Sequence, residues 1–235
     1  MAWGSSPVSS FSEYLGQNGG TSATSFSSAS ADTIFLTVAS NNTNALTVSD
    51  SKGNTWTLIR SQDNGFGIMN YLYRTDTPAV VGSSHTFTVT GTSTFASISI
   101  TCFAGGATSS IDDQENSAGT IFSQTIQPGS ITPSEANTLI ITGITATDDN
   151  REPTTINSSF TVATSRSAPS GLNVGIAYLV QGSAAAVNPT WTLANGSATH
   201  LDTTIANFRP AGAAATVVLP SRANPSQAVR RAAFH

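Results

Sequence analysis

Across 235 residues the chain carries 9 basic and 13 acidic side chains, for a formal charge of -4, and only 9% of its residues are charged. With 38% apolar residues it can bury a core, but its single Lys and scattered Arg lack the clustered cations that neutralise phosphates, so nucleic-acid binding is not expected. One cysteine, Cys102, excludes an internal disulfide and a cysteine zinc cage, and 34 Ser with 34 Thr leave the polar surface to hydroxyls and amides.

Residues 1–22 read as an extended N-terminal arm. They have no basic n-region and no apolar h-region, and no stretch of the chain approaches 18 apolar residues, so neither Sec export nor membrane insertion is expected. Trp3 has no alternating strand around it and is assigned to contact with a partner. From residue 23 to residue 210 the pattern changes to short runs with period-2 alternation of β-branched and aromatic residues. These are "DTIFLTVAS", "NTWTLIR", "SHTFTVTG", "SISITCFAG", "NTLIITGIT", "NSSFTVAT", "NPTWTLANG" and "LDTTIANF", each bounded by Gly, Asn, Asp, Ser or Pro. Many short strands with turns between them predict an all-β chain, an antiparallel β-sandwich of jelly-roll type. Within "SISITCF" the thiol of Cys102 is expected to be buried and inert.

The strands repeat. "DTIFLTVAS" at Asp32 resembles "NTLIITGIT" at Asn137, "NYLYR" at Asn70 resembles "AYLVQ" at Ala177, "HTFTVTG" at His85 resembles "PTWTLANG" at Pro189, and "ISITCFAG" at Ile98 resembles "DTTIANFRP" at Asp202. The offset stays near 105 residues, which predicts an internal duplication with halves at about 23–106 and 120–210. A single sandwich with two related halves is the favoured arrangement, two tandem sandwiches the alternative.

The stretch "SDSKGNTWTLIR" reads as a hairpin, with Asp50 as an Asx acceptor for backbone amides and Gly53 and Asn54 tolerant of positive φ. A calcium loop through Asp50 and Asn54 is disfavoured, because it lacks the spaced acids and bidentate Glu of an EF-hand. The acids otherwise gather in "IDDQEN" and "TDDNRE", which makes Asp112, Asp113, Asp148 and Asp149 weak calcium candidates, although a solvated loop accounts for both runs. No catalytic motif occurs and neither His85 nor His200 has an evident base role, so no enzyme activity and no cofactor is expected. Trp56 and Trp191 read as core, and Tyr71 with Tyr73 on one strand face are the candidate sugar platform.

After Pro210 the chain enters a C-terminal arm, residues 211–235. An apolar extended stretch leads to "NPSQAVRRAAF", where Asn224 suits an N-cap, Pro225 the first helical position and Gln227 the capping-box position. A helix over 225–234 is predicted, with Val229 on its apolar face and Arg230 and Arg231 toward its C-terminal end. A helix this short needs a surface to dock on. Arg222, Asn224, Pro225, Val229, Arg230, Arg231 and Phe234 are therefore the candidate partner-binding residues, together with Trp3.

The order "DTIFLTV", "SDSKGNTWT", "HTFTVTG", "ISITCFAG", then a second half from "NTLIITG", resembles β-sandwich domains of tailed-phage virion proteins and some bacterial extracellular proteins. The likeness spans about 25 to 210 and rests best on Asp50, Gly53, Asn54, Trp56 and Thr57. It implies a virion structural protein, of capsid decoration or head-fibre type, made in the host cytoplasm and carried on the particle. Its implied partners are a major capsid protein or another virion protein, with self-association on the particle. A carbohydrate- or receptor-binding module is the alternative.

Overall fold

A computed structural model describes residues 2–16, 19–22, 24–41, 46–75, 79–91, 95–147, 153–168, 171–194 and 199–210, with the side chains of 19, 106–116, 154 and 199 excepted. The predicted helix and all seven partner-binding candidates of the C-terminal arm lie outside these residues, as do Asp148 and Asp149 and the side chains of Asp112 and Asp113. Every described element is a strand and every named strand pairing is antiparallel, as the alternating sequence requires.

The first half contains β1 (Ser9–Gly16), β2 (Gly19–Thr21), β3 (Thr33–Ser40), β4 (Thr47–Asp50), β5 (Trp56–Asp63), β6 (Met69–Thr75), β7 (Phe87–Thr90) and β8 (Ala96–Phe103). The second contains β9 (Gly106–Ser123), β10 (Thr125–Ile126), β11 (Thr138–Thr147), β12 (Pro153–Ile156), β13 (Thr161–Arg166), β14 (Leu172–Gln181), β15 (Trp191–Leu193) and β16 (Thr199–Pro210). The five-stranded sheet of the first half has the order β1-β8-β3-β6-β5, and that of the second, read from its other edge, β9-β16-β11-β14-β13. The three-stranded sheets run β2-β7-β4 and β10-β15-β12. Each strand of the second half thus takes the place of the strand eight earlier, and the duplication read from the sequence is a duplication of topology. Even a local irregularity is copied, since β5 bulges between Leu58 and Arg60 and β13 between Val162 and Thr164.

The halves are not the two sheets of one sandwich. Each half owns a five-stranded and a three-stranded sheet with a core between them: Ile34, Leu36, Val38, Tyr71, Tyr73, Phe87 and Val89 in the first, Ile140, Ile144, Trp191, Leu193, Leu201 and Ile205 in the second. The two five-stranded sheets then pack on each other. A third core joins them, with Phe35, Leu72 and Phe103 from one side meeting Leu139, Ile141, Ile176, Ala206 and Phe208 from the other. Phe35 and Phe208 have ring centroids 4.7 Å apart.

This stacking explains the hydroxyl-rich composition. All eight residues of β3 and of β8 are buried, so both faces of these strands are covered. Their apolar face looks into the half's own core, and the alternate face of Thr33, Thr37, Ser97, Ser99 and Thr101 lies in the seam between the halves. There the hydroxyls and amides bond across. Thr204 Oγ1 donates to Asn70 Oδ1 at 2.6 Å, Asn70 Nδ2 donates to Thr145 Oγ1 at 3.0 Å, and Ser97 Oγ donates to the Leu172 carbonyl at 2.8 Å.

The seam has an approximate two-fold arrangement, with β1 against β13, β8 against β14, β3 against β11, β6 against β16 and β5 against β9. That is the reciprocal pattern of a symmetric dimer interface, built here within one chain. Thr37 of β3 and Gly143 of β11 occupy equivalent positions and meet at the centre. A Cβ on Gly143 would lie 2.7 Å from Thr37 Cγ2, so the close approach of the sheets requires glycine on one side.

The segment expected to be a free N-terminal arm is instead part of the body. It is extended, but β1 adds to the edge of the first sheet beside β8. Ser10 Oγ donates to the Ala163 carbonyl and Ser12 Oγ to the Ser165 carbonyl of the second half, each at 2.9 Å. Ahead of it, the Gly4 amide donates to the Ala104 carbonyl at 3.1 Å, and Gly105 takes φ +96 with no room for a Cβ beside the Ala2 carbonyl. Pro210 pairs with Gly106. Residues 2–4, the 104–106 link and residue 210 therefore gather at one end, called proximal below, and β16 carries the chain there from His200, about 35 Å away at the distal end.

Candidate functional site

The residues singled out in the sequence take two different fates. Trp3 is buried in the core between the halves, donates its Nε1–H to the Phe208 carbonyl at 3.0 Å, and packs against Phe35 and Phe103. Its partner is its own chain, because an indole with an apolar body and one donor fits an apolar seam where the Phe208 carbonyl can accept. Tyr71 and Tyr73, read as a sugar platform, are likewise core residues. Their hydroxyls donate to Met69 Sδ at 2.9 Å and to the Leu46 carbonyl at 3.0 Å, and burial pushes both phenols up to about 12. Only their edges help line a cleft beside Leu46, Val48, Trp56 and Leu58. Trp191 and Phe87 are both fully buried and sit at matching places in their halves. Cys102 is buried, and burial pushes its thiol up to about 12, as befits an inert residue.

The predicted hairpin is instead an arch between sheets, since β4 pairs with β7 in the small sheet and β5 with β6 in the large one, and the Asp50 carboxylate holds the turn that joins them. Asp50 Oδ1 accepts the Lys52 amide at 2.8 Å and the Asn54 amide at 3.2 Å, while Oδ2 accepts Asn54 Nδ2 at 3.0 Å and Trp56 Nε1 at 2.8 Å. His85 Nε2 lies 3.3 Å from Oδ1, and Ser28 Oγ lies 2.8 Å from the Nδ1 of that ring. Burial alone would push the Asp50 carboxyl up, but the bonds from His85, Asn54 and Lys52 outweigh it and hold the group well below the usual carboxylate range. A carboxylate ringed by N–H donors is the wrong set for a cation. Ser28, His85 and Asp50 stand in the order of a nucleophile, base and orienting acid, yet Ser28 and His85 are fully buried and the Ser28 hydroxyl oxygen also accepts the Gly82 amide at 3.1 Å. No substrate can reach that oxygen, and the chain of bonds pins the small sheet to the loop before β3. Sequence reasoning missed the link because Ser28, Asp50 and His85 are brought together only by topology.

The distal end carries the exposed chemistry. Phe66, in the turn between β5 and β6, is 56% exposed, and Phe122, at the end of β9, is 73% exposed. Between them stands His200 of β16, with ring centroids 4.8 Å from Phe66 and 5.5 Å from Phe122. Phe122 has φ +53, a conformation that non-glycine residues rarely adopt, and Ile121 beside it is also exposed. The Phe66 turn is built by two successive Asx bonds, from the Gly65 amide to Asp63 Oδ1 at 2.7 Å and from the Phe66 amide to Asn64 Oδ1 at 2.9 Å. These three aromatic positions are scattered over residues 66, 122 and 200, so spacing in the sequence held no signal for them.

Behind the aromatic group lies Asp202, two residues along β16 and on the same face. It is fully buried, and neither of its oxygens has a hydrogen-bond partner of good geometry. Burial and the neighbouring Asp63 carboxylate push its carboxyl up to about 8, which the Asn64 amide offsets only in part. Among the described residues no group of three or more His, Cys, Asp or Glu side chains comes together, and no helix is long and apolar enough to cross a membrane. No family model, curated protein or solved structure matches the chain.

Proposed function

We propose that the protein is a non-enzymatic structural component of a virus particle, of the capsid decoration or head-fibre kind, that is fixed at its proximal end and presents its distal end to the surroundings. The observation that carries this reading is polarity. Residues 2–4 are tied down beside residue 210 at one end of the body, so residues 211–235, outside the described residues, follow on from that end. The exposed aromatic group sits at the other end of β16. A two-ended body of this kind suits a protein that binds neighbouring virion subunits through its arm and leaves its far end exposed. Deleting residues 211–235 is expected to leave a folded body that no longer enters particles. Truncated protein found in purified particles at the full-length level, by mass spectrometry, would end this reading.

A second reading is favoured by the distal group itself, a carbohydrate-binding role. Exposed aromatic faces stack on the C–H faces of sugar rings, and Asp63 beside Phe66 supplies a hydroxyl acceptor. Glycan-array binding by the isolated protein that disappears in Phe66→Ala and Phe122→Ala supports this role, and binding that survives both changes excludes the distal group as its site. Neither outcome depends on incorporation into particles.

A further inference from the structure

We propose that Asp202 and Asp63 form a calcium site that clamps the distal turn of the first half onto β16 of the second. Asp202 is fully buried and, apart from the Asn64 amide nearby, neither of its oxygens has a partner of good geometry, an arrangement that a folded protein seldom keeps unless something else satisfies them. On the seam face of β16 its Oδ1 borders the same space as Asn64 of the turn after β5, and no cationic side chain among the described residues bonds to it. Gly119, its neighbour on β9, makes the room, since a Cβ there would lie 2.6 Å from Asp202 Oδ1 and 2.9 Å from Asn64 Cβ.

The donor set fits a hard cation. Two carboxylates completed by backbone carbonyls and water are oxygen ligands of the kind calcium takes, in a geometry it does not hold rigidly. Asp63 spends one oxygen on the Gly65 amide and keeps the other, while Asn64, whose Oδ1 already accepts the Phe66 amide, is not counted as a ligand. Asp63 stands at the exposed rim beside buried Asp202, and two like charges so placed repel each other unless a cation lies between them. Asp50, the other buried acid, shows the contrast, because its surroundings are all donors. Bound calcium would fix the Phe66 turn and join the two halves where their third core gives way to polar contacts.

The test uses the full chain with calcium chloride as the probe, read by thermal unfolding and titration calorimetry. The wild type is expected to bind one calcium and to gain about 5–10 °C in Tm at a hundredfold excess over Kd. Asp202→Asn should fold and lose the shift, and Asp63→Asn, altered at an exposed position, should weaken it at least tenfold in Kd. A variant with Asp112, Asp113, Asp148 and Asp149 all changed to Asn should keep it. The proposal is overturned if wild-type Tm ignores both calcium and chelator, or if the calcium response follows the fourfold variant rather than Asp202→Asn. It is equally overturned if Asp202→Asn merely flattens a pH dependence that calcium leaves unchanged, because Asp202 is then a protonated acid.

Discussion

The two halves share one topology yet solve the same packing problem with opposite chemistry. In the first, the end of β4 places Asp50 opposite Phe87, and the carboxylate gathers His85, Asn54 and Trp56. In the second, Ile156 takes the place of Asp50, opposite Trp191. Val187 makes the bridge to Ile131 that His85 makes to Phe26, and Phe160 follows at the position of Trp56. A buried ionic network and an apolar cluster therefore support the same sandwich. The network is not what makes the fold stable, but once it is present no member can leave alone.

That contrast can be broken most severely by Asp50→Ala, which strands the Trp56 indole N–H, the Asn54 amide, the Lys52 backbone amide and the His85 ring. A loss of about 3–5 kcal/mol is expected in urea unfolding. Transplanting the second half's solution, Asp50→Ile with His85→Val and Trp56→Phe, should cost less than the single change, and a triple variant weaker than Asp50→Ala would refute the equivalence of the two solutions. At the centre of the seam the same contact can be probed from both sides. Gly143→Val overpacks against Thr37 and should lose about 1–3 kcal/mol, whereas Thr37→Ala, which removes a hydroxyl without a partner, should stay within about 1 kcal/mol.

Acid should distinguish the halves through the same network. The folded Asp50 carboxyl titrates below its unfolded value, so its contribution is complete above that value, near pH 4, and is lost as pH falls toward the folded one. Acid unfolding of the wild type should thus be steeper below pH 4 than that of the triple variant, and parallel curves would count against the pin. The smallest effect is expected from Trp56→Phe alone, about 1 kcal/mol, because Asp50 loses one of several donors and the ring of Phe160 shows that an aromatic suffices there.

Much of this was legible in the sequence, and the remainder fails for identifiable reasons. The strands, the repeat near 105 residues and the core positions Phe87 and Trp191 follow from alternation alone. The same alternation misled where both faces of a strand are covered, since Thr37 and Ser99 look like solvent-facing hydroxyls and lie in the seam. Thr-rich strands also resemble one another when slipped. "NYLYR" resembles "AYLVQ", but pairing puts Leu72 opposite Thr37 and Ile176 opposite Gly143, so Ile176 is the counterpart of Leu72 and Tyr178 falls on the seam side rather than in a small-sheet core. Ser9–Gly16 reads as an arm because everything that holds it is distant in sequence: β8 and Phe26 in its own half, and Ala163 to Ser165 in the other. The distal group of Phe66, Phe122 and His200, like the Asp202 pocket, exists only through convergence of distant strands.

The reciprocal seam has a consequence for how the body behaves on dilution. A symmetric dimer of separate sandwiches would come apart below its dissociation constant, but here the partners are joined by the short link from Phe103 to Gly106. Their meeting is intramolecular, at an effective concentration that no dilution of the sample lowers. The two-fold partnership is thus hard-wired at a fixed one-to-one stoichiometry, and each side of it is free to change sequence without needing to match a copy of itself.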